Sequence, residues 1–203
     1  MDRYLMTHSL LSSWSFLLKE NPYETAESPA DPMEDFMRVL RREPTETTEA
    51  MQNGIDFEND VTAIVQGRPV RNEKWQDAAA KVAQIIQGGR LQHVAKQTVT
   101  VGGTAYLLYG RLDALKAGTI YDIKYSKGYD RGKFFTSTQH PVYLELVPEA
   151  NDFVYLVSNG TDVWTERYTR EETRSILHII QSFADWLDGQ GLTPVYRERW
   201  LAK

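Results

Sequence analysis

Apolar residues recur at helical spacing near the start of the chain. Leu10, Leu11, Trp14, Leu17 and Leu18 share one face and predict a helix within the first twenty residues. A polar stretch with Pro22 and Pro29 follows. Asp31, Pro32 and Glu34 then stand in the order of a helix start: a side-chain cap, proline at the first helical position and an acid in the first turn. "PTETTEA" reads as a loop. Phe57, Val61, Ile64 and Val65 form the stripe of a helix from about Ile55 to Gln66, and a second helix runs from Glu73 to Gln87, where Gly88 and Gly89 stop it.

The period changes near Lys96. "KQTVTV", "AYLLYGRLDAL" and "TIYDIKY" are rich in β-branched, aromatic and aliphatic residues and predict a three-stranded meander, broken at Gly102-Gly103 and at Gly118. A basic loop, "KGYDRGKFF", leads to a short helix beginning near Ser137 or Thr138. "DFVYLVS" and "VWTERYT" predict a hairpin turning at Asn159-Gly160. Thr169 and Glu172 form a capping box for a helix to about Asp188, and the tail packs through Tyr196 and Trp200. Helices, meander, helix, hairpin, helix is the order of a mixed α/β (α+β) fold. The 203 residues fit one domain, with residues 1–50 as a helical N-terminal elaboration.

Composition narrows the chemistry. No segment approaches the roughly 20 apolar residues that span a bilayer. The start has no basic region ahead of an apolar run and no small-residue cleavage site, so a cytoplasmic location without a membrane partner is expected. The chain has no cysteine, which excludes disulfides, thiolate zinc sites, cysteine nucleophiles and a cysteine-ligated iron–sulfur cluster. Any metal must be held by oxygen or imidazole ligands. The net charge of −5 gives no support by itself to nucleic-acid binding, although an acidic total accommodates a local basic strip.

Within the meander, Asp113 lies on one strand, and Asp122 and Lys124 lie on the next. Side chains alternate along a strand, so Asp122 and Lys124 share a face. A turn centred between Ala117 and Gly118 sets Asp113 opposite Asp122. Opposed residues have Cβ atoms roughly 5 Å apart, and like charges there are destabilising, so the pair asks for a cation. Mg²⁺ is commonly held by one or two carboxylates, and a neighbouring lysine can orient water or balance charge on a phosphate. Taken alone, the same letters also fit a solvated strand face.

These residues resemble the PD-(D/E)xK nuclease superfamily, and within it the RecB-like and lambda-exonuclease-like branch, often encoded by phages. There an acid near the end of one strand is followed on the next by Asp or Glu-x-Lys; "RLD" supplies Asp113, and "DIK" supplies Asp122 and Lys124. The resemblance implies a restriction-endonuclease-like core, a central mixed sheet flanked by helices. It implies Mg²⁺ or Mn²⁺ held by Asp113 and Asp122, with the Ile123 carbonyl as an extra ligand, and Lys124 assisting the attacking water. "NGIDFENDV" resembles the family helix whose acid follows a glycine and joins the metal site. Periodicity places Glu58 and Asp60 about equally, and the family spacing from Gly54 selects Glu58. "TQHPVYLEL" matches the Q-x-x-x-Y mark, so Gln139 and Tyr143, four apart on a helix, are implied to contact DNA. His140 beside them reads as a polar surface or packing residue rather than a ligand.

The marks cover roughly residues 54 to 143; the proline of the "PD" pair is Leu112 here. The implied activity is a metal-dependent deoxyribonuclease, exonuclease ahead of endonuclease, in recombination, repair or phage DNA metabolism. Its alternative is a catalytically inactive nucleic-acid-binding protein on the same scaffold. DNA is the implied partner, with a homo-oligomer or a recombination partner protein left open. Lys127, Arg131 and Lys133, interleaved with Tyr125, Tyr129, Phe134 and Phe135, predict where DNA would lie. Arg38, Arg41 and Arg42 read as a solvated helix face.

Overall fold

The computed structural model describes residues 2–19 and 31–202; Pro22 and Pro29 lie outside them. The chain begins with a strand, β1 (Arg3–Thr7), and only then enters α1 (His8–Leu17), capped by Thr7 Oγ1 on the Leu10 N–H. The expected helix is therefore shorter at its start. "RYLMT" is a short apolar run that periodicity cannot assign, and its parallel pairing with Ala105–Tyr109 decides the matter. Residues 1–50 are thus not a purely helical elaboration, since β1 belongs to the central sheet.

Helix α2 (Pro32–Leu40) has the expected cap, with Asp31 accepting the Met33 and Glu34 N–H groups. Helix α3 (Glu49–Val65) starts earlier than its apolar stripe indicates, because Thr48 caps it, and so absorbs part of "PTETTEA". A 3₁₀ turn (Glu73–Trp75) and α4 (Gln76–Ile86) follow, then β2 (Arg90–Val101), β3 (Thr104–Lys116), β4 (Thr119–Tyr125), α5 (Gln139–Leu146), β5 (Asp152–Ser158), β6 (Val163–Thr169), α6 (Ile176–Gly189) and α7 (Thr193–Arg199). The Thr169–Glu172 capping bonds form, but they close a turn ahead of α6. Arg170 in that turn donates to the carbonyls of Leu144, Val147 and Ala150, which draws it onto the end of α5. The tail packs as its sequence indicates: Tyr196 and Trp200 are buried, and Trp200 Nε1 donates to the Leu40 carbonyl at 2.8 Å.

The fold is mixed α/β, with one six-stranded mixed sheet flanked by helices. Alternation along β5 shows the two layers. Phe153, Tyr155 and Val157 enter a large cluster with α1, α2, α5, α6 and α7, while Val154 and Leu156 enter a second cluster with α3 and α4. Among the described residues, no helix is long and apolar enough to cross a membrane.

Strand β3 organises the sheet. β2 pairs antiparallel along nearly its whole length and fills one edge. The other edge is divided: β1 takes Ala105–Tyr109 and β4 takes Ala114–Lys116, so residues 110–113 have no strand beside them there. The sheet forks at this interval. Leu112 packs in the large cluster and Ala114 in the second, although residues two apart on a regular strand share a face. The strand turns at Asp113. Across from it, Gln92 drops out of the β2 register between the pairs Leu91–Ala114 and His93–Leu112, with a left-handed φ of 50°.

Gly110 makes the fork accessible to α5. A Cβ there would lie 2.2 Å from Tyr143 Cε1 and 2.8 Å from Leu146 Cδ1, so the Tyr143 ring occupies the space of the absent side chain. Tyr143 Oη reaches on to donate to the Arg111 carbonyl at 3.2 Å. Gly110→Ala is expected to cost about 1–3 kcal/mol by overpacking, a fall of roughly 2–4 °C in melting temperature per kcal/mol. Tyr143→Phe keeps the ring and should cost only about 0.5–1.5 kcal/mol. Thermal denaturation of both variants checks this; an unchanged melting temperature for Gly110→Ala would contradict the packing at the fork.

Candidate active site

The fork draws together side chains from both helical layers. Asp113 Oδ2 accepts the Ile123 backbone N–H at 2.7 Å, a side chain standing where the β3–β4 ladder would otherwise continue. Asp122, one step beyond the last ladder pair, is only 4% exposed, and Lys124 Nζ lies 2.8 Å from its Oδ2. That contact lacks hydrogen-bond angles, so the buried Oδ2 has no directed donor. Gln139 at the start of α5 donates to Asp122 Oδ1. From the other layer, α3 presents Glu58, whose Oε1 accepts from Gln92 Nε2 at 2.8 Å and lies 3.8 Å from Arg111 Nη2. Without the fork, the sheet would separate Glu58 from Gln139.

The charges at this point work against one another. Burial, then the carboxylates of Asp122 and Glu58, hold the Asp113 pKa well above the ordinary carboxyl value, against the opposing Ile123 N–H and Lys124. Burial alone would lower Lys124, but Asp122, Asp113 and Glu58 more than offset it and raise its pKa, so the amine stays an ammonium at neutral pH. Its side chain is about a third exposed and faces the open side of the fork with the more exposed Arg111. Tyr143 is pushed upward by burial and by Asp122 and Asp113.

This donor set suits a hard divalent cation. It consists of carboxylate oxygens, with no sulfur, and sets the buried Asp122 beside a carboxyl whose ionisation is disfavoured. Among the described residues, no three acidic or imidazole groups stand closed around a point, and Glu58 is drawn aside by Gln92 and Arg111. Asp113 and Asp122 stand together one step beyond the last β3–β4 pair.

The structure separates Glu58 from Asp60. Asp60 is 1% exposed and accepts three bonds, from the Arg71 and Asn72 N–H groups and from Trp75 Nε1, so it fixes the turn between α3 and α4. Gln139 and Tyr143 lie together at the fork, but both are buried and bonded to Asp122 and Arg111. They are placed to hold the acids and the fork; their described bonds are to the protein. His140 packs as expected, stacked on Tyr168 at 4.2 Å, with burial lowering its pKa to about 4.

Lys127, Arg131 and Lys133 are exposed on the segment after β4, and Lys133 Nζ donates to Ser126. Their aromatic neighbours are mostly committed to the protein. Tyr125 packs on Phe57 and Trp75, Phe134 stacks on Tyr155 at 4.1 Å, and Tyr129 stacks on Trp164. Phe135, at 69% exposure, is the ring left outward. Glu166 anchors this segment by accepting from Tyr129, Gly132, Phe134 and Tyr168, bonds that lower its pKa against the opposing effect of burial. Arg38 pairs with Glu34 on the solvated face of α2, whereas Arg41 and Arg42 follow the end of the helix and Arg42 lies over Trp200 instead of on a helix face.

Gln92 and Glu166 carried no sequence signal. His8 Nδ1 lies 3.1 Å from Thr138 Oγ1, tying the start of α1 to the residue before Gln139. Burial, then Lys124 and His140, lowers the His8 pKa to about 3, so its ring is neutral near pH 7.

No family model matches the sequence, and no curated protein matches it. Among solved structures the chain is similar to the crystal structure of SSO0001, with a TM-score of 0.54 at 15% identity, covering 94% of this chain and 78% of that one. At that identity the likeness concerns the fold: the helix-flanked mixed sheet is an arrangement found in a solved protein.

Proposed function

We propose that this chain is a Mg²⁺- or Mn²⁺-dependent deoxyribonuclease of the PD-(D/E)xK type, RecB-like and acting as an exonuclease. The observation that carries the reading is the fork itself. Asp113 accepts the N–H of Ile123, which sets its carboxyl beside Asp122 and Lys124 in a place where burial and like charge ask for a cation. Asp113, Asp122 and the Ile123 carbonyl, with Glu58, would hold the metal, which supplies charge neutralisation at the phosphate and an acidified water.

The protein's own groups do the rest. The Lys124 ammonium, at the open side, would donate to a phosphate oxygen and hold the attacking water in place; the water oxygen bonds to phosphorus as the bond to the leaving oxygen breaks, the water's proton passes to solvent and the leaving oxygen takes a proton from solvent. Gln139 fixes which Asp122 oxygen faces Lys124, and Tyr143 keeps the fork open. Lys127, Arg131 and Lys133 offer phosphate contacts beside the acids. The preference for ends over internal sites rests on the resemblance to the RecB-like branch.

Linear and covalently closed circular DNA, each with Mg²⁺, Mn²⁺ or chelator, test this. Metal-dependent loss of linear DNA alone is expected, and Lys124→Ala should lower the rate by about 10²–10⁴-fold while the protein stays folded. Cutting of closed circles would make it an endonuclease. DNA binding without cleavage would favour a catalytically inactive binding protein.

Asp113 gives a second test. Its folded-state pKa lies above the unfolded value, so its favourable contribution is complete below about pH 3.9 and is lost as pH rises through the elevated value. In chelator at neutral pH, Asp113→Asn should therefore melt higher than wild type, with the gap closing towards pH 4. Added Mn²⁺ should raise the wild-type melting temperature and leave the variant's unchanged. A variant that melts lower than wild type at both pH values would contradict the crowding of charge at the fork.

A further inference from the structure

Between α1, the segment before α5 and α6 lies a trough made of two adjoining hollows, of about 450 Å³ and 160 Å³, which share Thr138 in their lining. Among the described residues, no aspartate or glutamate lines either hollow. Arg174 stands in the larger hollow, and Lys19 and Lys133 in the smaller; among the described residues none of the three forms an ion pair. Most of the remaining polar lining is serine and threonine hydroxyl.

Rings accompany the cations. Trp14 lines the larger hollow, is 8% exposed, and its buried indole N–H has no acceptor. Phe16 borders the smaller hollow at 50% exposure. Thr138, in the lining of both hollows, directly precedes Gln139, which donates to Asp122.

We infer that this trough is a track for a single nucleic-acid strand, holding the stretch that flanks the bond at the Asp122 site. Lys19, Lys133 and Arg174 meet phosphates, the hydroxyls donate to phosphate and sugar oxygens, and the Phe16 ring offers a stacking face to a base. The inference rests on the nucleic-acid reading of the fork, and it commits to a strand rather than an acidic protein because an exposed ring lies among the cations and the Thr138 wall is one residue from Gln139, which bonds Asp122.

Fluorescence anisotropy of labelled oligothymidylates of about 4 and about 16 nucleotides, with the full chain in chelator, tests the track apart from catalysis. The longer strand should bind more tightly. Lys19→Ala and Arg174→Ala should each reduce the slope of log K against log salt by about 0.7. The double charge reversal Lys19→Glu with Arg174→Glu should weaken binding of the longer strand at least about tenfold, while Arg38→Ala on α2 changes nothing. Unchanged affinity in the charge-reversal variant, no binding by wild type, or equally tight binding of polyglutamate at the same salt would each overturn the track. The two readings fail separately: cleavage lost in Lys124→Ala but insensitive to trough variants removes the track alone, and trough-dependent binding with no cleavage removes the nuclease reading alone.

Discussion

The hydrogen bond from the Ile123 N–H to Asp113 Oδ2 is the constraint on which the site depends. A regular β3–β4 ladder would satisfy that N–H with a carbonyl and carry the sheet unbroken past Asp113. A carboxylate takes its place, so the strands part, and β3 exposes an interval to which α5 contributes Tyr143 and Gln139 and α3 contributes Glu58. Gly110 and Gln92 are the backbone accommodations to this one substitution of side chain for main chain. The first makes room for a ring, and the second leaves the β2 register in a conformation that is unfavourable for a residue with a side chain.

Crowded charge follows from the same geometry. Asp113 and Asp122 converge under partial burial, with Glu58 in electrostatic reach, and Lys124 at Asp122 and Arg111 at Glu58 stand against them. Such a cluster opposes folding unless something cationic joins it, and this is how an active site is expected to depart from the rules that govern the rest of a core. Thr136, fourteen residues from Asp122, belongs to a surface of different character, a hydroxyl-rich trough with no acid in its lining among the described residues.

Much of this was legible in the sequence, for identifiable reasons. Asp113, Asp122 and Lys124 stood out because charged residues are scarce inside strands, and the glycine-marked turn fixed the register that sets Asp113 one step beyond the last β3–β4 pair. The caps at Asp31 and the tail contacts of Tyr196 and Trp200 are local or strongly apolar signals, and they appear as expected. What escaped depends on distant pairing. Arg3–Thr7 is a strand only because β3 has a free edge there. Gln92 and Glu166 look like ordinary surface residues until their partners, Glu58 and the 129–134 segment, are brought beside them. The interleaved aromatics of the basic loop signalled base stacking, yet Tyr129 and Phe134 are fastened to the protein, since sequence shows a ring but not which face another element covers.

Direct titration of the full chain with Mn²⁺, by calorimetry or by the loss of free Mn²⁺ signal in electron paramagnetic resonance, reaches the central point without depending on any nucleic-acid substrate. Saturable binding by wild type, lost in both Asp113→Asn and Asp122→Asn and weakened in Glu58→Gln, is the expected result. Absence of saturable binding by wild type, or binding that survives both aspartate substitutions, would contradict a metal-dependent site at the fork.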